Sequence, residues 1–342
     1  MSIERQYIGN MDQMFNVKTY RYEGGKADGV KAVDIHNGGN LQYTVICDRG
    51  LDLYQVRYKN INMNYITPAG IVAPQYYNDK GTKWLDSFFG GFLTTCGLSN
   101  IGVPSNDNGT ELSLHGKMNN TPAKNLCVDL NEGVNPYVEI KGKVQEASFG
   151  GQKLELNRKI RCDYQRDCIE LYDEIRNIGF KTEPYMILYH MNMGYPFLDE
   201  HVKLYIPTEK VWGRDAYSQR HIDEWGIITK PKTGFQEMCF YHQLKSDESN
   251  RTRVGVFNPK LNIGIIIDFD INVLNCFVEW RMLGAGEYVV GLEPANSTLD
   301  GREKAREQGM LKELKSGQSI QHVMKIYFTD SQENVAKKCK IE

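Results

Sequence analysis

Apolar and polar residues alternate along most of this 342-residue chain, and stretches with a helical period are nearly absent. Leu41-Gln42-Tyr43-Thr44-Val45-Ile46-Cys47 alternates up to Asp48-Arg49-Gly50, and residues 51–58 alternate beyond it. The two read as strands meeting at a glycine bend. Residues 137–144 and 153–160 flank Gly150-Gly151 as a hairpin, and 168–175 follow as a third strand. Residues 202–206, 265–269, 287–290 and 322–328 supply further strands. Good helix formers gather at 302–308 after Asp300-Gly301, so substantial helix is expected only near 301–313 and in short loop turns.

Many short strands separated by turn signals predict an all-β protein, an antiparallel sandwich or barrel. The pattern contains no linker, charge block or internal repeat, so residues 1–342 are expected to form one domain. Hydrophobic residues at 41% and charged residues at 25% suit a soluble chain with a sizeable core. The net charge of −2 is spread without a basic stripe, which argues against nucleic acid and anionic membranes as partners. Met1–Gln6 lacks the apolar region of an export signal, and no window is apolar enough to span a membrane. The eight cysteines include no CxxC pair, so reduced, mostly buried thiols and a cytoplasmic location are expected. Nothing in the pattern specifies an oligomeric state.

Glu293 attracts attention as a carboxylate at the end of an apolar run, Glu287-Tyr288-Val289-Val290-Gly291-Leu292. Pro294 follows and is expected to end the strand there, leaving Glu293 near a rim. A glutamate in that place most often meets solvent or a salt bridge; presented to a ligand, it would serve as a base. Four segments dense in glycine, proline, asparagine and histidine resist the strand reading: 67–70, 89–100, 114–117 and 189–196. Two of them carry His115, beside Gly116, and His190, at the opening of a glycine/proline corner. Each histidine either binds a backbone carbonyl or is presented for chemistry. Two imidazoles and a carboxylate are suited to concerted proton transfer near neutral pH, such as opening and closing a hemiacetal. They could also ligate a metal, although no HExxH-type spacing is present.

Five motifs taken in order resemble the galactose mutarotase-like superfamily of aldose 1-epimerases, and more closely its bacterial aldose 1-epimerase family branch. They are Asp48-Arg49-Gly50-Leu51-Asp52, the Thr94-Thr95-Cys96-Gly97-Leu98 core of 90–102, Leu114-His115-Gly116, Tyr189-His190-Met191-Asn192 leading to Tyr195-Pro196, and Gly291-Leu292-Glu293-Pro294. The resemblance implies a single antiparallel β-supersandwich with an open cleft, and a cofactor-free and metal-free reaction on a small sugar. It also implies that Glu293 takes the proton of the anomeric hydroxyl. His190, followed shortly by Asn192, would protonate the ring oxygen, and His115 would bind around the anomeric centre.

Two positions depart from the family's pattern. Its sugar-binding arginine falls where this chain has residues 94–100, with Arg49, Lys117 or Arg281 as replacements. Its sugar-binding aspartate has no clear counterpart, and Glu237 and His242 stand in by position. Trp84, Tyr195 and Trp280 lie near the motifs as rings that pack in the core or stack on a sugar. Besides a mutarotase, the residues allow a carbohydrate-binding protein without chemistry, or a metal-dependent sugar isomerase using His115, His190 and Glu237.

Overall fold

Where the sequence alternates, the chain pairs. A computed structural model describes residues 5–341, so Met1–Glu4 of the N-terminal stretch lie outside the described residues. Every ladder between its strands is antiparallel, and they form five-, eight- and seven-stranded sheets plus a small two-stranded one. The first sheet is a meander from Asn16–Arg21 to Ile61–Asn62, in which Leu41–Ile46 and Asp52–Tyr58 pair across Arg49-Gly50. The second contains the expected hairpin, Tyr137–Ala147 with Lys153–Asp163, and then Cys168–Asn177.

The third sheet carries the site. Five of its seven strands are β1 (Leu93–Leu98), β2 (Glu183–Gly194), β3 (Met238–Leu244), β4 (Cys276–Gly284) and β5 (Glu287–Ala295), in the spatial order β3-β4-β5-β2-β1. Successive side chains on a strand point to opposite faces. On β2, Tyr185, Ile187, Tyr189 and Met191 join a large buried cluster with Val45 and Leu53 of the first sheet and Ile140, Leu171 and Ile267 of the second. Met186 and Leu188 point the other way, into a second cluster with Trp84, Phe88 and Val278. Both faces of the third sheet are therefore covered, and β2 reads as a nearly unbroken apolar run rather than a clean alternation.

Two expectations need correction. Pro294 does not end its strand: β5 runs to Ala295, with Pro294 opposite Phe277 and Ala295 opposite Cys276 of β4. Only the ladder with β2 lapses at Glu293 and Pro294, the residue with no N–H to give. Glu293 is consequently buried within a sheet, with 1% exposure, instead of standing at a rim.

The second correction concerns helix. The expected segment forms only Arg302–Glu307, whereas the longest α-helix is Gln332–Cys339. Ser331 caps it by accepting the Asn334 N–H, and Val335 and Cys339, one turn apart, anchor it on Phe257 and Ile266. Its other residues are mostly polar, which left little periodic signal. Among the described residues no helix is long and apolar enough to cross a membrane, and the cysteines form no disulfide, with Cys127 exposed.

Candidate active site

Register brings the candidate acid–base residues together. Leu188 pairs with Ala295 and Met191 with Leu292, so His190 and Glu293 stand opposite one another on adjacent strands. The row continues through Val278 to Tyr241 on one side and to Thr94 on the other. His190 Nε2 lies 3.2 Å from Glu293 Oε1, and the two side chains are 6% and 1% exposed. The contact is off the angle of a hydrogen bond, leaving His190 Nδ1 and Glu293 Oε1 buried without a hydrogen-bonding partner. Buried polar atoms are normally partnered, and exceptions need an explanation; a bound substrate is one.

The next row leaves room above this pair. Cys239 pairs with Trp280, Trp280 with Gly291, and Gly291 with Asn192. A Cβ on Gly291 would lie 2.5 Å from Glu293 Oε1 and 3.2 Å from both His190 Cε1 and Trp280 Cε3. Trp280 packs edge-on against the His190 ring at 5.2 Å, and its Nε1–H donates to Glu237 at 3.1 Å.

The opposite wall is built from loops. His115 adopts the left-handed region at φ 56°, followed by Gly116 at φ 70°, where a Cβ would lie 2.5 Å from Gly97 O. The His115 N–H donates to Gly102 O, its carbonyl accepts from the Gly97 N–H, and its Nδ1 accepts from the Gly102 N–H at 3.3 Å. An accepting Nδ1 assigns the proton of the neutral ring to Nε2. Trp84, stacked on Phe88, packs against His115 at 4.8 Å and is tied by its Nε1–H to Asn119 Oδ1. Together these groups line a cleft of about 290 Å³ with Leu85, Leu114, Arg214 and Leu299, about the lower size of a small-molecule site.

Burial governs the charges here. It pushes Glu293 well above the ordinary carboxylate range, with Arg214 opposing and Glu237 adding to the rise. Burial, helped by His115, holds His190 well below the usual imidazole value, against a rise from Asn192. Burial and then Arg214 bring His115 down to about 3. At neutral pH His115 is therefore uncharged, and burial favours the uncharged forms of both His190 and Glu293.

His115, His190, Glu293, Glu237 and Trp280 thus converge on one cleft, while the other sequence candidates lie elsewhere. Arg49 is fully buried and its fork donates to the carbonyls of Asn119, Val72 and Ser87. Lys117 pairs with Asp79 at 2.7 Å and lines a different depression. His242 and Arg281 occupy strand positions of the wrong parity, on the face away from Cys239 and Trp280. His242 meets Thr208 there, and Arg281 binds Glu279 and the carbonyls of Glu224, Trp225 and Ile227. Asn192 steadies the backbone, donating to the carbonyls of Gly90, Gly91 and His190. Tyr195 is 72% exposed and does not line the cleft.

Arg214 is the cleft residue that sequence reasoning missed. It follows the strand Thr208–Gly213, and its N–H donates to Cys239 O. The available signal was Gly213, where a Cβ would lie 2.2 Å from Gln219 N: close backbone approach marks a built corner.

As a potential metal set, His115, His190 and Glu237 do not gather. Among the described residues the one group of three ligand atoms within 4.8 Å of each other is Asp199, Glu200 and His201, outside the cleft.

Known proteins share this architecture. The family model described as Domain of unknown function (DUF4432) matches residues 27–327. No curated protein matches the chain. A solved candidate aldose 1-epimerase from Klebsiella pneumoniae is 26% identical with a TM-score of 0.91, covering 97% of this chain and 91% of that one. A galactose mutarotase-like protein from Clostridium acetobutylicum is 15% identical with a TM-score of 0.64, covering 93% and 100%. The galactose 1-epimerase of Lactobacillus acidophilus is 10% identical with a TM-score of 0.56, covering 92% and 98%. At those lower identities the likeness is one of fold. With this site on this scaffold, the chain belongs to the DUF4432 family and has the galactose mutarotase-like fold.

Proposed function

We propose that this chain is an aldose 1-epimerase-type isomerase that exchanges the anomers of a reducing sugar. The observation that carries the reading is the buried His190–Glu293 pair, each partner with an unsatisfied polar atom, beneath a cleft kept open by Gly291. One partner takes the proton of the C1 hydroxyl while the other gives a proton to the ring oxygen. The C1–ring oxygen bond breaks, the aldehyde forms, C1–C2 rotates, and closure reverses both transfers. The pair starts and finishes with one proton, so no external acid or base is consumed.

Before sugar binds, burial favours the neutral tautomer. Sugar hydroxyls donating to Glu293, together with Arg214, favour the carboxylate and move the proton to His190. Glu293 then acts as base and His190 as acid. His115 donates from Nε2, and Trp280 offers an apolar ring face.

Saturation-transfer NMR over a panel of reducing sugars tests this. Glu293→Gln and His190→Asn should each lose about 10²–10⁴-fold in exchange rate. Because the two act on one proton, the double variant should lose less than the product of the single losses. Wild-type exchange in Glu293→Gln on the preferred sugar would end the assignment. Sugar binding without exchange would mark a binding protein instead.

A further inference from the structure

The other large buried arginines have their forks occupied by the chain itself. Arg49 holds three carbonyls, Arg158 grips Asp52 and Asp173, Arg281 binds Glu279, and Arg302 binds Asp107. Arg214 differs. It is only partly exposed, its side chain reaches Cys239, and among the described residues no carboxylate lies within 4.0 Å of it. It lines the cleft and also an adjoining depression of about 510 Å³, and the two share Val103 as well. Cys239, and Asp300 from a distance, favour its charge, but no carboxylate occupies its fork directly, and a neutral hexose would leave that fork without the charged partner it matches best.

We infer that the cleft takes a reducing sugar that bears a carboxylate, gripped by Arg214 at the junction with the adjoining depression. This rests on the anomer-exchange reading. A planar carboxylate matches the guanidinium fork in shape and in its single charge. Phosphate carries nearly two negative charges. The depression already presents Asp300, Glu303 and Glu307, and its Lys304 is engaged by Glu307 at 3.1 Å. These acidic surroundings disfavour the dianion more than the monoanion.

The test compares glucuronate and galacturonate with glucose, galactose and glucose 6-phosphate by saturation-transfer NMR. The wild type should favour a uronate over its neutral hexose by about 10- to 100-fold in kcat/KM, the size of a hydrogen-bonded charge contact. Arg214→Gln should collapse that preference, and Arg214→Lys should recover part of it. Calorimetry with the methyl glycoside of glucuronic acid, which cannot ring-open, reads the contact without catalysis. Its binding should weaken in Arg214→Gln and with added salt. If Arg214→Gln fails to fold, the wild-type preference and Arg214→Lys still decide. Equal rates on uronate and hexose, a preference intact in Arg214→Gln, or a sugar phosphate outcompeting the uronates would overturn the inference. Arg214-dependent binding of the glycoside with no anomer exchange on any sugar would retain the carboxylate contact and defeat the epimerase reading.

Discussion

Gly291 and Glu293 show how much of the site turns on single atoms. Gly291 sits on ordinary strand backbone, so Gly291→Ala introduces no strain in φ, only a methyl 2.5 Å from Glu293 Oε1. The fold should survive, with circular dichroism unchanged, while anomer exchange falls at least about 10²-fold, the scale of a misplaced reacting group. Exchange at the wild-type rate in a folded Gly291→Ala protein would show that sugar does not approach the pair from this side. Glu293 makes a separate claim through stability. Below its ordinary value of 4.5 the carboxyl is neutral in both folded and unfolded chains. As pH rises, the unfolded chain loses the proton first, so the wild type loses stability relative to Glu293→Gln by about 1.4 kcal/mol per pH unit. That loss levels off above the folded value. The difference in Tm between variant and wild type should therefore widen as pH rises above the ordinary value of 4.5. A difference independent of pH would mean that the folded carboxyl ionises normally.

At the scale of elements, a buried ion cluster holds β2 and β1 in place. Arg158 donates to both oxygens of Asp173 at 2.9 and 2.6 Å and to Asp52 at 2.7 Å. Asp52 also receives the Thr95 N–H and hydroxyl from β1, and Asp173 receives the Tyr189 hydroxyl from β2. Arg158→Met would strand two buried carboxylates and should cost about 3–5 kcal/mol in urea unfolding. A loss under about 1 kcal/mol would mean that water or protonation relieves them. Strand pairs such as Leu41–Ile46 with Asp52–Tyr58 could be read because each exposes one partly polar face. Glu293, His190 and His115 stood out by their glycine and proline neighbours. The strand through Pro294 was misread because cross-strand pairing with β4 outweighs a local breaker. His242 and Arg281 were misplaced because charge alone does not reveal which face of a strand it occupies, and Arg49, in the turn after Leu41–Ile46, because the carbonyls its fork meets are distant in sequence.

Across the whole molecule, one apolar cluster draws on all three large sheets, from Val33 and Leu53 through Leu171 to Val290 and Leu292. Breaking any one sheet exposes the others, so we propose that the chain unfolds as one unit. Urea transitions followed by tryptophan fluorescence and by far-UV circular dichroism should coincide; two separated transitions would indicate independent domains. Arg49 belongs to this level too, since its guanidinium clasps segments around Val72, Ser87 and Asn119 behind the cleft. Removing it would orphan three buried carbonyls, whereas changing Gly291 or Glu293 leaves the scaffold standing. A descendant that lost turnover would therefore keep Asp48-Arg49-Gly50 and drift first at Gly291 and Glu293.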